Sequence, residues 1–127
     1  MNGYKGNIEE ETLKNSYFRQ VLFTGKHSQL VVMSLKPKEE IGEEVHDKVD
    51  QFFRFEKGTG KVVINDTEYE VADGDAVIIP AGAKHNIINT STDSDLKLYT
   101  IYSPPNHPEG TVHKTKAEAL AAEKEEG

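Results

Sequence analysis

Between Tyr17 and Ser103 the chain is cut into nine short runs rich in Val, Ile, Phe, Tyr and Thr, with Gly, Pro, Asn or Asp between them and no helical period. Short strands that follow one another directly pair most readily as antiparallel neighbours, so this spacing points to a sandwich or barrel and away from alternating β/α units. The expected strands are 19–23, 29–35, 43–46, 51–56, 60–64, 67–71, 76–79, 85–89 and 96–102. Asn65-Asp66 separates two of them as a two-residue hairpin connection, made of residue types that tolerate a left-handed turn.

The flanks have another texture. Residues 1–16 are polar and irregular, and they read as an arm that is ordered only by docking. Residues 17–103 form the barrel. In Pro104-Pro105-Asn106-His107-Pro108, three of five residues lack a backbone donor, so the chain must leave the sheet and run over the surface. Thr115 and Glu118 have the spacing of a capping box ahead of Ala119, Leu120, Ala121 and Ala122, which predicts a short C-terminal helix within 104–127.

Composition removes several function classes. The 127 residues carry 15 Lys and Arg against 22 Asp and Glu, a formal net charge of −7, which opposes a nucleic-acid partner. There is no cysteine, so there is no thiolate nucleophile or disulfide, and any metal must sit on nitrogen and oxygen. The sequence shows no apolar leader or spanning stretch, so no membrane partner is expected and the expected location is the cytoplasm. Phosphate loop, dinucleotide fingerprint, nucleophile elbow and zincin motif are all absent.

The stretch from Gly74 to Asn89 carries the chemistry. Pro80 ends a strand, Gly82 allows a tight reversal, and His85 opens the returning strand, with Ile87 and Asn89 on its face. Gly74, Pro80, Gly82, His85 and Asn89 stand at the offsets of the second conserved motif of the cupin superfamily, which this segment resembles. Upstream, Gly42 to Gly58 resembles the first cupin motif. Counting back from Gly58 places Gln51 at that family's glutamate, His46 at its second histidine and Glu44 at its first. The resemblance implies an all-β fold, the double-stranded β-helix or jelly-roll barrel, with the short C-terminal helix appended. It further implies a homodimer and a divalent metal (Mn, Fe, Ni, Co or Zn) held by Glu44, His46, Gln51 and His85.

Plainer readings stand beside these. Glu44 lies in an acidic stretch with Glu39, Glu40 and Glu43, where a solvated face is the alternative. Gln51 can bind metal, cap the turn, or take a ligand through its amide. Asp50 has the opposite parity and points at the turn backbone. Phe53 and Phe55 share the face of Gln51 and, with Ile87, Asn89 and His107, are the expected ligand pocket; Arg54 faces the other way, where a charge pair across a subunit contact becomes possible. His107 and His113 lie either in a surface loop or in a lid that brings His107 to the barrel mouth.

For function, two classes follow. One is a metal-dependent enzyme on a small oxygenated metabolite (a sugar, sugar phosphate or organic acid), of isomerase or dioxygenase type, with Glu44 or His107 as the candidate base. The other is a non-catalytic binding protein that uses the same pocket. Similarity to small bacterial barrels of the mannose-6-phosphate isomerase-like kind speaks for the fold and only weakly for that substrate.

Overall fold

Eight of the nine expected strands are present in the computed structural model, which describes residues 2–126. After helix α1 (Ile8–Lys14) come β1 (Arg19–Thr24), β2 (Gln29–Leu35), β3 (Asp50–Lys57), β4 (Gly60–Ile64), β5 (Thr67–Val71), β6 (Ala76–Ile79), β7 (His85–Asn89), β8 (Leu96–Ser103), β9 (Val112–His113) and helix α2 (Lys116–Glu126). They build two antiparallel sheets, ordered β6-β3-β8-β2-β1-β9 and β5-β4-β7. The all-β jelly-roll barrel with a short C-terminal helix is therefore the fold.

Alternation decides what goes inside. On β3 the inward row is Gln51, Phe53 and Phe55, and on β8 it is Leu96, Leu98, Thr100 and Tyr102, all buried. One apolar cluster joins the sheets, with Met33, Leu35, Phe53 and Leu98 meeting Val62, Val71 and Ile87. Each such side chain contributes about 1.5–3 kcal/mol by leaving water. Toward one end the inward surface turns polar, because Gln29 and Gln51 both stand opposite Tyr102 in register. Two turns shape that end. Gly82 takes φ +88, a conformation that costs a side-chain-bearing residue strain, and Asn65 takes φ +53 in the expected two-residue hairpin between Ile64 and Thr67.

The segment 43–46 departs from expectation. It is no strand: Glu40 bridges Ile88 and Glu44 bridges His85, so the five residues 40–44 run beside the four residues 85–88 of β7. The extra residue breaks the ladder at Gly42, whose backbone N–H turns to the Asn86 side chain at 2.9 Å. The arm departs as well. Asn7 caps α1 through the Glu10 N–H, Glu9 to Glu11 and Lys14 complement its dipole, and the helix docks on the outer face of the large sheet, where Lys97 Nζ donates to the Asn15 carbonyl at 2.6 Å. A helix of seven residues is marginal alone, so docking holds it. Thr115 caps α2 as expected, with the Glu118 N–H donating to its Oγ1 at 3.2 Å, whereas the Glu118 carboxylate accepts from the Lys114 N–H rather than closing the box on Thr115. In the tail, β9 adds an edge to β1, a pairing the proline-rich composition concealed. Among the described residues no helix is long and apolar enough to cross a membrane.

Candidate metal centre

Glu44, His46 and His85 come together at the polar end, each offering a ligand atom within 4.8 Å of the others. Three local features bring this about. The backbone bridge sets Glu44 beside His85. His46 follows two residues on, and its carbonyl accepts from the Gly82 N–H at 2.9 Å, tying this loop to the turn before β7. The two imidazole rings then lie 5.4 Å apart between centroids.

The ring of His85 is oriented by its own strand. Its Nδ1 sits 3.1 Å from the Ala83 carbonyl, which can only accept, so Nδ1 carries the proton and Nε2 keeps a lone pair. Nε2 of His85, Nε2 of His46 and Oε1 of Gln51 are all buried with no hydrogen-bond partner. Orphaned buried polar atoms are costly, and the two histidine nitrogens belong to the Glu44-His46-His85 cluster. Burial, the neighbouring His85 and the Arg19 charge hold His46 below the ordinary imidazole range; burial also lowers His85, against its bond to Ala83. Burial pushes Glu44 up, with Arg19 opposing and Glu123 adding to the rise. Neutral imidazoles and a half-buried carboxylate are what a divalent ion needs, so this donor set fits one.

Gln51 is buried beside Tyr102, its Nε2 donating to Thr100 Oγ1 at 3.0 Å. That bond turns its amide so that the carbonyl oxygen is the free end. His107 also reaches this end. Gln29 accepts from the Asn106 and His107 N–H groups at 3.1 and 3.0 Å and donates to the His107 carbonyl at 2.8 Å, and the His107 ring meets Tyr102 Oη at 3.1 Å. The tail is thus folded over the barrel rather than free on the surface.

The remaining pocket candidates lie elsewhere. Phe53 and Ile87 are one inward step below Gln51 and His85, and Phe55 lies one step further; all three belong to the apolar core, the two phenyl rings stacked at 6.3 Å. Asn89 is no pocket residue. Its amide nitrogen lies 2.9–3.0 Å from the carbonyls of Leu35, Lys36 and Ser94, and its oxygen accepts from the Ser91 N–H, so backbone consumes it. Asp50 does bind the turn, accepting from the Ala81 N–H at 2.8 Å, and Arg54 pairs with Glu56 on its own strand at 3.1 Å. Two residues went unnoticed in the sequence: Arg19 and Tyr102, both buried around the site. Their signal is parity, since Arg19 alternates with buried Val21 and Tyr102 continues the inward row of β8.

An antiparallel jelly-roll barrel with a Glu-His-His cluster at one end of its interior defines a small single-domain barrel with a group of side chains that could hold a metal ion. The chain belongs to the cupin family: the Cupin domain model matches residues 31–102. It is 50% identical over 123 residues to the YrkC protein of Bacillus subtilis (strain 168), covering 92% of this chain and 66% of that protein. It is 51% identical over 112 residues to a protein of Acanthamoeba polyphaga mimivirus, covering 86% of this chain and 70% of that one. Both relatives are described as uncharacterized, and the chain spans about two thirds of their length. Among solved structures, BH2720 from Bacillus halodurans matches with a TM-score of 0.91 at 48% identity, over 93% of each chain.

Proposed function

We propose that this barrel holds a divalent ion (Mn, Fe, Ni, Co or Zn) on Glu44, His46 and His85, with Gln51 as a neutral oxygen donor, and acts as a metal-dependent enzyme on a small oxygenated metabolite. The observation that carries the reading is that His46 and His85, whose Nε2 atoms are buried without a hydrogen bond, each bring a ligand atom within 4.8 Å of a Glu44 oxygen. Such an ion supplies Lewis acidity toward a carbonyl, hydroxyl or carboxylate.

The side chains around it argue against a proton-shuttling isomerase. Burial, with the Arg19, His113 and His46 charges, lowers His107 to about 3, which leaves it a weak base that orients Tyr102. Glu44, the stronger base, is committed to the ion. Chemistry centred on the metal is therefore the better fit.

Elemental analysis of protein purified without chelators, beside His85→Ala, tests the reading. Near-stoichiometric metal that disappears in the variant is expected; no metal, or metal that survives the substitution, overturns it.

We also propose that the chain pairs with a second copy through the outer face of the large sheet. Leu30, Ile101, Phe52 and Ile78 form one apolar row across β2, β8, β3 and β6, and Ile78 is 65% exposed. A partly exposed apolar row whose edge-strand member, Ile78, stands open is the kind of surface a symmetric dimer buries.

A further inference from the structure

His46 and His85 are held in different ways. The His85 ring is fixed by its hydrogen bond to the Ala83 carbonyl at 3.1 Å, the kind of outer partner that orients most metal-binding imidazoles. The His46 ring makes no such bond among the described residues, and its Nε2 is buried and unpartnered, 3.9 Å from Glu44 Oε1. What meets it instead is two rings. His85 lies 5.4 Å away between centroids, and Tyr102 lies 6.0 Å away and nearly perpendicular, at 79°. An edge-to-face contact of this kind limits how far an imidazole can turn.

Tyr102 is itself firmly placed. It is 2% exposed on the inward row of β8, with Gln51 of β3 opposite it on one side and Gln29 of β2 on the other. Its Oη lies 3.1 Å from His107 Nε2, and those two rings cross at 87° with centroids 5.1 Å apart. Gln29 pins the backbone of residues 106 and 107, so the tail cannot shift without disturbing this contact. One side chain thus touches a metal candidate through its ring and the tail through its hydroxyl.

We propose that Tyr102 is the positioning residue of the metal site: its ring holds the His46 imidazole in the ligating orientation, and its hydroxyl ties the tail to that ring at His107. The effect on ligation rests on the metal reading above; the effect on the order of the His46 ring does not.

Substitution separates the two duties. Tyr102→Phe keeps the ring and loses the hydroxyl, whereas Tyr102→Leu loses both. In titrations of the full chain with Co(II), Tyr102→Leu is expected to bind roughly 10- to 100-fold more weakly and to show shifted visible absorption bands. Tyr102→Phe is expected to keep the parent's affinity and bands, with faster amide exchange in residues 104–113. Carbon-13 relaxation of the histidine rings in chelator-treated protein supplies a metal-free readout. There the His46 ring should loosen in Tyr102→Leu and stay ordered in Tyr102→Phe, while His85, tied to Ala83, stays ordered in both.

Parent-like Co(II) affinity and bands in Tyr102→Leu, or a loss in Tyr102→Phe as large as in Tyr102→Leu, overturns the role of the ring. Equal loosening of His46 and His85 in Tyr102→Leu overturns it too, since the residue would then only support the fold. Unchanged exchange of residues 104–113 in Tyr102→Phe overturns the role of the hydroxyl. Should Tyr102→Leu fail to fold, Tyr102→Met, whose unbranched side chain fills irregular space, takes its place with the same expected results. Failure of the metal reading is seen separately, as no Co(II) uptake by the parent. In that case ring relaxation still decides, and a His46 ring as ordered in Tyr102→Leu as in the parent overturns the proposal.

Discussion

Glu44 and His85 exchange both of their backbone hydrogen bonds, at 2.8 and 2.9 Å, across an isolated bridge. Residues paired in this way lie about 5.5 Å apart at Cα and project their side chains to the same side. Backbone pairing, rather than contact between the side chains, thus sets a carboxylate beside an imidazole, and the loop reaches that position without forming a strand.

Removal of either imidazole should separate metal binding from folding. His46→Ala and His85→Ala are expected to fall from near-stoichiometric metal to trace while circular dichroism still shows the β fold, because the apolar cluster beneath them is untouched. Asn89→Ala is the converse. It strips the carbonyls of Leu35, Lys36 and Ser94 of a donor, so it should lose about 2–4 kcal/mol in denaturant unfolding and keep its metal.

Acid should release the metal below pH 6.5. Ligation needs neutral imidazoles and an ionised carboxylate. His46 and His85 sit below their ordinary 6.5, so they resist protonation, whereas Glu44 sits above 4.5 and takes up its proton early. Metal content after dialysis across a pH series should hold at neutral pH and fall between about 6 and 4. A release midpoint above 7 would contradict this donor set.

His107 should make the metal-free protein acid-sensitive. In the unfolded chain a histidine binds a proton below about 6.5, while the folded His107 does so only near 3. The unfolded state therefore holds more protons in that window, and stability falls as pH drops through 6.5 toward 3. Thermal melts of chelator-treated protein should show a shallower acid decline in His107→Gln than in the parent.

Gln29 should act as the latch of the tail. Gln29→Ala removes the buried amide that binds both N–H groups and the carbonyl of the 106–107 segment, as well as Thr24 Oγ1. A loss of about 3 kcal/mol is expected, with faster amide exchange concentrated in residues 104–113. Uniform exchange across the barrel would show that the segment is held otherwise.

The outer apolar row should control association. Ile78→Lys places a charge at its most exposed member and should convert a dimer to a monomer in light scattering, with little change in unfolding free energy. Unchanged mass would remove this face as the interface.

Much of this molecule was legible from residue order. Alternation of apolar residues located β1 to β8 because a strand's inward face repeats every second residue, and Asn65 and Gly82 marked turns because few residues accept left-handed backbone. His85 and His46 were legible through their places in the two cupin motifs. Asn89 misled because parity gives only the face of a strand; which backbone carbonyls surround that face is a tertiary matter. The helix in the arm was missed for a similar reason, since its seven residues are stable only against the sheet.

By itself the sequence determined the strands, their inward faces and the residue types available to a metal, since these follow from local sterics and side-chain chemistry. The tertiary structure alone decided that Glu44 meets His85, that Arg19 is buried against His113, and that Gln29 draws His107 onto Tyr102. Those relationships join residues far apart in the chain, and their distances are set by how two sheets close around one core.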